Sequence, residues 1–227
     1  ANVKRFIFVS TQSIYGIAQN DSDLDEDNSI KNPQTAYAKS KLSAEIEILN
    51  MSDSKFIATS LRPSTVFGWG VRLRSDIVFN NLILNGLTYK KIDVHSDGTP
   101  WRPIVHVSDL CEAIEICLRI SPEVISGESF NIGVTGGNFT VKQLATVAQS
   151  ALNGIPVKFN TENISDPRSY KVSFSKAEKL LKEGLYDFVA TDAHNPQHLK
   201  NLQNLSLSKK QGIQWEAIRE FQLAEFS

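Results

Sequence analysis

Tyr37 and Lys41 stand four residues apart in Thr35-Ala-Tyr-Ala-Lys-Ser-Lys41. On a helix that spacing places both side chains on one face, one turn apart. A phenol beside an ammonium is a proton-transfer unit: the cation favours phenolate over phenol, which makes the tyrosine a better acid and base near neutral pH. Taken alone the pair is a common helix-surface combination, so its surroundings decide. A hydroxyl-rich turn, Ser10-Thr-Gln-Ser-Ile-Tyr-Gly16, precedes it and directly follows an apolar run. Open α/β sheets bind ligands at the carboxyl ends of their strands, which is where such hydroxyls would sit. Asp21, Asp23, Asp25, Glu26 and Asp27 cluster between Asn20 and Asn32. They lack the glycine and closing glutamate of a calcium loop, so a solvated loop and no metal are expected.

The elements around these residues follow from periodicity. Val3–Val9 is rich in Val, Ile and Phe and reads as a buried parallel strand. Pro33 and Thr35 open a helix to about Asn50, with Ala38, Leu42, Ile46 and Leu49 as its buried stripe. Phe56–Leu61 is the next strand, so the hydroxyl turn and the Tyr37/Lys41 helix fall inside a βαβ unit. Beyond Gly68 the spacing predicts a helix over 76–87, a strand over 92–96, a turn at 97–100 and a strand over 101–107. Ser108 is the expected cap of a helix through Ile120, and 128–133 a strand. Thr140 and Gln143 form a capping box for a helix over 141–152, followed by a short strand over 156–160. Ser175 with Glu178 opens a helix ending near Gly184. From Tyr186 the pattern weakens, with an amphipathic helix over 214–226.

The totals exclude several classes. The chain has 227 residues, 41% hydrophobic and 22% charged, with a net charge of −1. Without a basic field, nucleic-acid binding by bulk electrostatics is not expected. No apolar run approaches the roughly 20 residues that span a bilayer, so no membrane partner is expected either. Cys111 and Cys117 are too few for a disulfide framework. With no secretory signal in view they read as two reduced core thiols of a cytoplasmic protein.

Four motifs occur in a fixed order. They are Phe8-Val-Ser-Thr-x-x-x-Tyr-Gly16, Tyr37-x-x-x-Lys41, Leu61-Arg-Pro-x-x-Val-Phe-Gly68 and Arg102-Pro-x-Val-His-Val-x-Asp109. Together they resemble the extended short-chain dehydrogenase/reductases, the NAD-dependent epimerase/dehydratase family acting on nucleotide sugars. Asp97-Gly-Thr-Pro-Trp-Arg-Pro103 and Asp166-Pro-Arg-Ser-Tyr-Lys-Val172 look like its nucleotide-sugar epimerase type, and the likeness runs from about 3 to 182. It implies an α/β fold: the C-terminal part of a Rossmann-type parallel sheet plus a smaller α+β substrate domain. Residues 1–67 would be a partial dinucleotide-binding domain and 68–185 mainly the substrate domain, with a returning Rossmann segment near 102–133. Residues 186–227 would be a divergent tail.

The same resemblance assigns roles. Tyr37 would be the general acid/base on a sugar hydroxyl, and Lys41 would lower its pKa and hold the nicotinamide ribose. Thr11 would hydrogen-bond the same sugar oxygen. Ser10 and Pro63 would line the nicotinamide. Arg102 and Arg168 would grip the substrate diphosphate, to which a planar charged fork is suited. Thr65 and Asn81 would contact the substrate. His106 and Asp109 read as structural, and Trp69, Trp101 and Phe67 as core in preference to stacking on a base. The cofactor would be NAD, with NADP possible, and a homodimer through 36–50 and 70–85 is a family-level expectation.

Two departures narrow this. Related 4,6-dehydratases place Asp-Glu directly after the catalytic threonine, where this chain has Gln12 and Ser13. Neither is a useful acid or base, so dehydration is disfavoured. No Gly-x-Gly-x-x-Gly occurs. The family places such a loop ahead of the segment that begins here, within three βα units of on the order of 100 residues. The expectation is therefore an enzyme fragment: an NAD(P)-dependent nucleotide-sugar epimerase at C4, working through a transient keto-sugar, impaired in cofactor binding and with its first strand either at an exposed sheet edge or mispaired. A nucleotide-sugar 4-keto reductase or dehydrogenase, and an inactive binding or remnant protein, remain open.

Overall fold

The computed structural model describes residues 2–18, 22–70, 73–134, 136–160 and 169–180. In chain order the elements are β1 (Arg5–Val9), α1 (Ala36–Asn50), β2 (Ile57–Pro63), β3 (Thr65–Phe67), α2 (Val78–Tyr89), β4 (Ile92–Val94), β5 (Trp101–His106), α3 (Val107–Arg119), α4 (Pro122–Ile125), β6 (Ser129–Ile132), β7 (Asn138–Thr140), α5 (Val141–Ala151) and β8 (Val157–Phe159).

β1, β2 and β6 form a parallel sheet in the order β1-β2-β6, with Arg5 opposite Ile57 and Ser60 opposite Ser129. Parallel strands joined through helices make this a Rossmann-type α/β sheet. β2 is its centre and is buried from Ala58 to Pro63, so its sequence shows no alternation of polar and apolar residues. β1 is the outer strand among the described residues, and Phe6 on it is half-exposed. A core of Leu61, Val105, Ala113, Cys117, Ile125, Phe130 and Leu180 packs between this sheet and α3. A second core holds Phe67, Phe79, Leu82, Ile92, Ile104, Leu144 and Ala148, gathered from α2, α5, β4 and the β3-β5-β7 sheet. In that sheet β3 and β5 are parallel, while β5 and β7 are antiparallel. β4 pairs in parallel with β8.

Helix α1 starts where its cap dictates: Thr35 Oγ1 accepts the Ala38 N–H at 3.1 Å. Its buried face differs from the expected stripe. Ala38 and Glu45 are buried while Ile46 is 49% exposed. Arg62 is buried at the end of β2 and a buried guanidinium requires a carboxylate, so the helix presents Glu45 rather than Ile46 to the sheet. Other expectations also shift. His106, not Ser108, caps α3: it is the last extended residue of β5, and its Nδ1 accepts the Ser108 N–H at 3.3 Å. Asp76 lies outside α2, with its carboxylate paired to Arg74 at 2.6 Å. The capping box of α5 forms as expected, with Gln143 N–H on Thr140 Oγ1 at 3.2 Å and Thr140 N–H on Gln143 Oε1 at 2.8 Å.

The acidic loop is not simply solvated. Leu24 bridges to Val172, and Glu26 is buried with its Oε1 accepting the Asn131 N–H at 2.6 Å. Of the two cysteines only Cys117 lies in the core and Cys111 is exposed, because six residues of helix turn the side chain well away from its starting direction. Phe67 is core as expected, Trp101 is half-buried beneath Lys171, and Trp69 is 70% exposed. The expected helix end near Gly184, the tail over 186–227 and the helix over 214–226 lie outside the described residues.

Candidate active site

The parallel ladder continues one residue past β1, with Ser10 N–H on the Leu61 carbonyl at 2.7 Å. The chain then turns through a 3-10 segment, Gln12–Tyr15, capped by Thr11. Thr11 Oγ1 accepts the Ser13 N–H at 3.1 Å. A hydroxyl that accepts in this way keeps its own hydrogen to donate. The turn closes at Gly16, whose φ of 72° is in the left-handed region and where a Cβ would collide with the Asn32 carbonyl. That contact holds the turn against the segment leading into α1.

Helix α1 packs on this turn and on β2. Tyr37, in its first turn, is 56% exposed. Lys41 points back to the sheet, where Nζ donates to the Val9 carbonyl at 2.8 Å and sits 4.8 Å from the Phe8 ring centre. The same Nζ is 6.0 Å from the Tyr37 ring centre. Lys41 has three N–H donors and uses one on Val9, which leaves two for a bound ligand. Thr11 and the Lys41 ammonium therefore lie at the carboxyl end of β1, with Tyr37 one helix turn before Lys41.

Gln12 behaves otherwise. It is 1% exposed, and its Nε2 donates to the Arg62 carbonyl at 3.0 Å and to the Ile132 carbonyl at 3.4 Å. It faces inward as a clip between the ends of β2 and β6. Ser10 and Pro63, the expected cofactor-lining residues, are both buried at these strand ends. Thr65 opens β3 opposite Ile104, half-buried. Arg102, on β5, donates from Nη1 to the Trp101 carbonyl at 2.9 Å. Asn81, on α2, donates to the Ser75 carbonyl at 3.1 Å and accepts from Asn85 at 2.9 Å. These three belong to the second sheet and its covering helix. Arg168 lies outside the described residues. His106 is half-buried, and burial pushes its imidazole below the ordinary value against the pull of Asp109. A neutral ring is what its capping role needs.

Below this layer lies a buried polar network that sequence reading missed. Arg62 meets Glu45 at 2.5 Å, and Ser60 Oγ donates to the same carboxylate at 2.8 Å. Burial alone would raise the Glu45 carboxyl, but the hydrogen bonds and charge of Arg62 outweigh it and hold Glu45 below the usual carboxylate value. Tyr15 donates to Asn131 Oδ1 at 2.8 Å, and burial pushes its phenol up to about 12 despite Arg62. The available signal was Glu45 itself, four residues beyond Lys41 on the same helix face.

A family model described as NAD dependent epimerase/dehydratase matches residues 1–133. The chain belongs to the NAD-dependent epimerase/dehydratase family. Relatives in that family bracket it. It is 27% identical over 199 residues to YtcB of Bacillus subtilis, described as an uncharacterized UDP-glucose epimerase, covering 83% of this chain and 60% of YtcB. It is 32% identical over 146 residues to the human dTDP-D-glucose 4,6-dehydratase, covering 64% of this chain and 39% of that one. Among solved structures, MoeE5 in complex with UDP-glucuronic acid and NAD superposes with a TM-score of 0.67 at 28% identity, covering 82% of this chain and 63% of MoeE5. The UDP-glucuronic acid 4-epimerase of Bacillus cereus shares the fold, with a TM-score of 0.67 at 24% identity. The chain thus spans less than two thirds of the length of these family members. Among the described residues no helix is long and apolar enough to cross a membrane.

Proposed function

We propose that this chain carries the acid–base half of an NAD-dependent nucleotide-sugar epimerase acting at C4. The observation that supports it is Lys41, anchored on the Val9 carbonyl at the carboxyl end of β1 where the Thr11 turn begins, with the Tyr37 ring centre 6.0 Å from its Nζ. NAD held there by Lys41, Ser10 and Pro63 would supply hydride removal from the sugar carbon and hydride return. Tyr37 takes the proton of the C4 hydroxyl as that carbon is oxidised and gives it back on reduction. Thr11 donates a hydrogen bond to the same oxygen, steadying the carbonyl of the transient keto-sugar. Lys41 holds the nicotinamide ribose with its remaining donors. Ser10 and Pro63 line the nicotinamide, Thr65 and Asn81 contact the sugar nucleotide, and Arg102 and Arg168 hold its diphosphate.

Gln12 favours epimerisation over dehydration. Water elimination needs an acid or base beside Thr11, and the residue there is an amide turned into the core. NADP is the alternative cofactor. We assign 1–67 to a partial dinucleotide domain and 68–185 mainly to the substrate domain, with a returning Rossmann segment near 102–133 that includes β6; we assign a dimer contact to α1, where Ile46 is 49% exposed, and the 70–85 region.

The test is to incubate the full-length protein with NAD and UDP-glucose or UDP-glucuronic acid and follow the sugar by NMR. The C4 epimer should accumulate with no net NADH. Stoichiometric formation of NADH with a 4-keto sugar would make it a dehydrogenase, the same chemistry a 4-keto reductase runs in reverse; a 4-keto-6-deoxy product would make it a dehydratase, and an unchanged sugar would overturn catalysis.

A further inference from the structure

Tyr37, Lys41 and Glu45 follow one another at four-residue spacing along one side of α1. The first two carry the proposed chemistry. Glu45 is 2% exposed. It meets Arg62, whose Nη2 and Nε donate to Glu45 Oε1 at 2.5 and 3.0 Å. The remaining guanidinium nitrogen, Nη1, donates to the Tyr15 hydroxyl oxygen at 3.1 Å and to the Glu26 carbonyl at 3.4 Å. Tyr15 is the last residue of the turn that Thr11 caps. One planar group therefore grips the helix bearing Tyr37 and Lys41 along one edge, and the turn bearing Thr11 along the other.

We propose that Glu45, Arg62 and Tyr15 form a positioning joint that fixes the Thr11 hydroxyl relative to the Tyr37–Lys41 pair. Apolar packing alone does not set this distance, since Ala38 is the one fully buried apolar residue among those described on α1. A guanidinium fork sets direction as well as distance. Burial of all three residues removes competing water. None of them touches substrate: they act through the backbone of α1 and of the turn. Displacing a catalytic group by about 1 Å costs on the order of 100-fold in rate, so small slack in the joint is visible in turnover.

The inference rests on the functional reading above, and the test keeps the two apart. Tyr15→Phe removes one hydroxyl and leaves the ring. In the full-length protein it is expected to lower kcat about tenfold with KM for the nucleotide sugar changed less than about twofold. Glu45→Gln is expected to do the same, and the double variant to lose little more than the worse single, because both break one joint. Wild-type kcat in Tyr15→Phe together with a lowered Tm would make the network a stability element only and overturn the proposal. Hydrogen exchange reads the joint without turnover. In Tyr15→Phe the amides of 13–16 and of 39–45 are expected to exchange faster together, and acceleration confined to 13–16 would overturn it. A folded wild type that binds NAD but converts no sugar would sink the functional reading, while exchange still decides the joint.

Discussion

At the scale of single residues, the site separates groups that meet solvent from groups sealed beneath them. Tyr37 is 56% exposed beside the anchored Lys41. If it is the acid/base, Tyr37→Phe in the full-length protein lowers epimerisation at least ~100-fold, the lower scale for losing such a group. Steady-state kinetics showing near-normal turnover would remove Tyr37 from the mechanism. Tyr15 is the sealed counterpart, with its phenol raised from 10.0 to about 12 by burial. A raised pKa means that the folded state keeps a proton the unfolded state has lost. The contribution is complete below pH 10 and is lost as pH rises through 12. At about 1.4 kcal/mol per unit this amounts to on the order of 2–3 kcal/mol. Urea unfolding between pH 9 and 12 should show stability falling with pH, and Tyr15→Phe should flatten that slope.

At the scale of elements, what matters is which face a helix turns inward. α1 has apolar residues on more than one face, and the buried Arg62 selects the face that includes Glu45. α3 makes a comparable choice between its cysteines. Cys117 is in the core with its thiol pushed up to about 11 by burial, and Cys111 is exposed. A thiol-reactive dye should therefore label one cysteine quickly in the native protein and the second only on unfolding. Cys111→Ser should abolish the fast phase, and fast labelling of both cysteines would show that α3 is rotated from this placement.

At the scale of the molecule, two hydrophobic cores share no residue: one lies beneath the β1-β2-β6 sheet, the other between α2 and α5. We expect them to respond independently. Ile92→Val in one and Ile132→Val in the other should each cost about 0.5–1.5 kcal/mol. Their double variant should add within about 0.5 kcal/mol by urea denaturation. A coupling larger than that would mean the two cores behave as a single packed body.

The sequence by itself determined the βαβ order, the Thr35 cap, the Thr140–Gln143 capping box and the four-residue spacing of Tyr37 and Lys41. Each of these is local: periodicity and capping act over a few residues and need no distant partner. The family was also legible, because its motifs are short runs in a fixed order. Tertiary structure alone decided that Glu45 faces in and Ile46 out, that Glu26 leaves its acidic loop to meet Asn131, and that Gln12 clips the ends of β2 and β6. These outcomes depend on partners far away in the chain, 17 residues for Glu45 and Arg62 and 105 for Glu26 and Asn131. A buried polar group goes where its hydrogen-bond partner is, and that place exists only once the chain has folded.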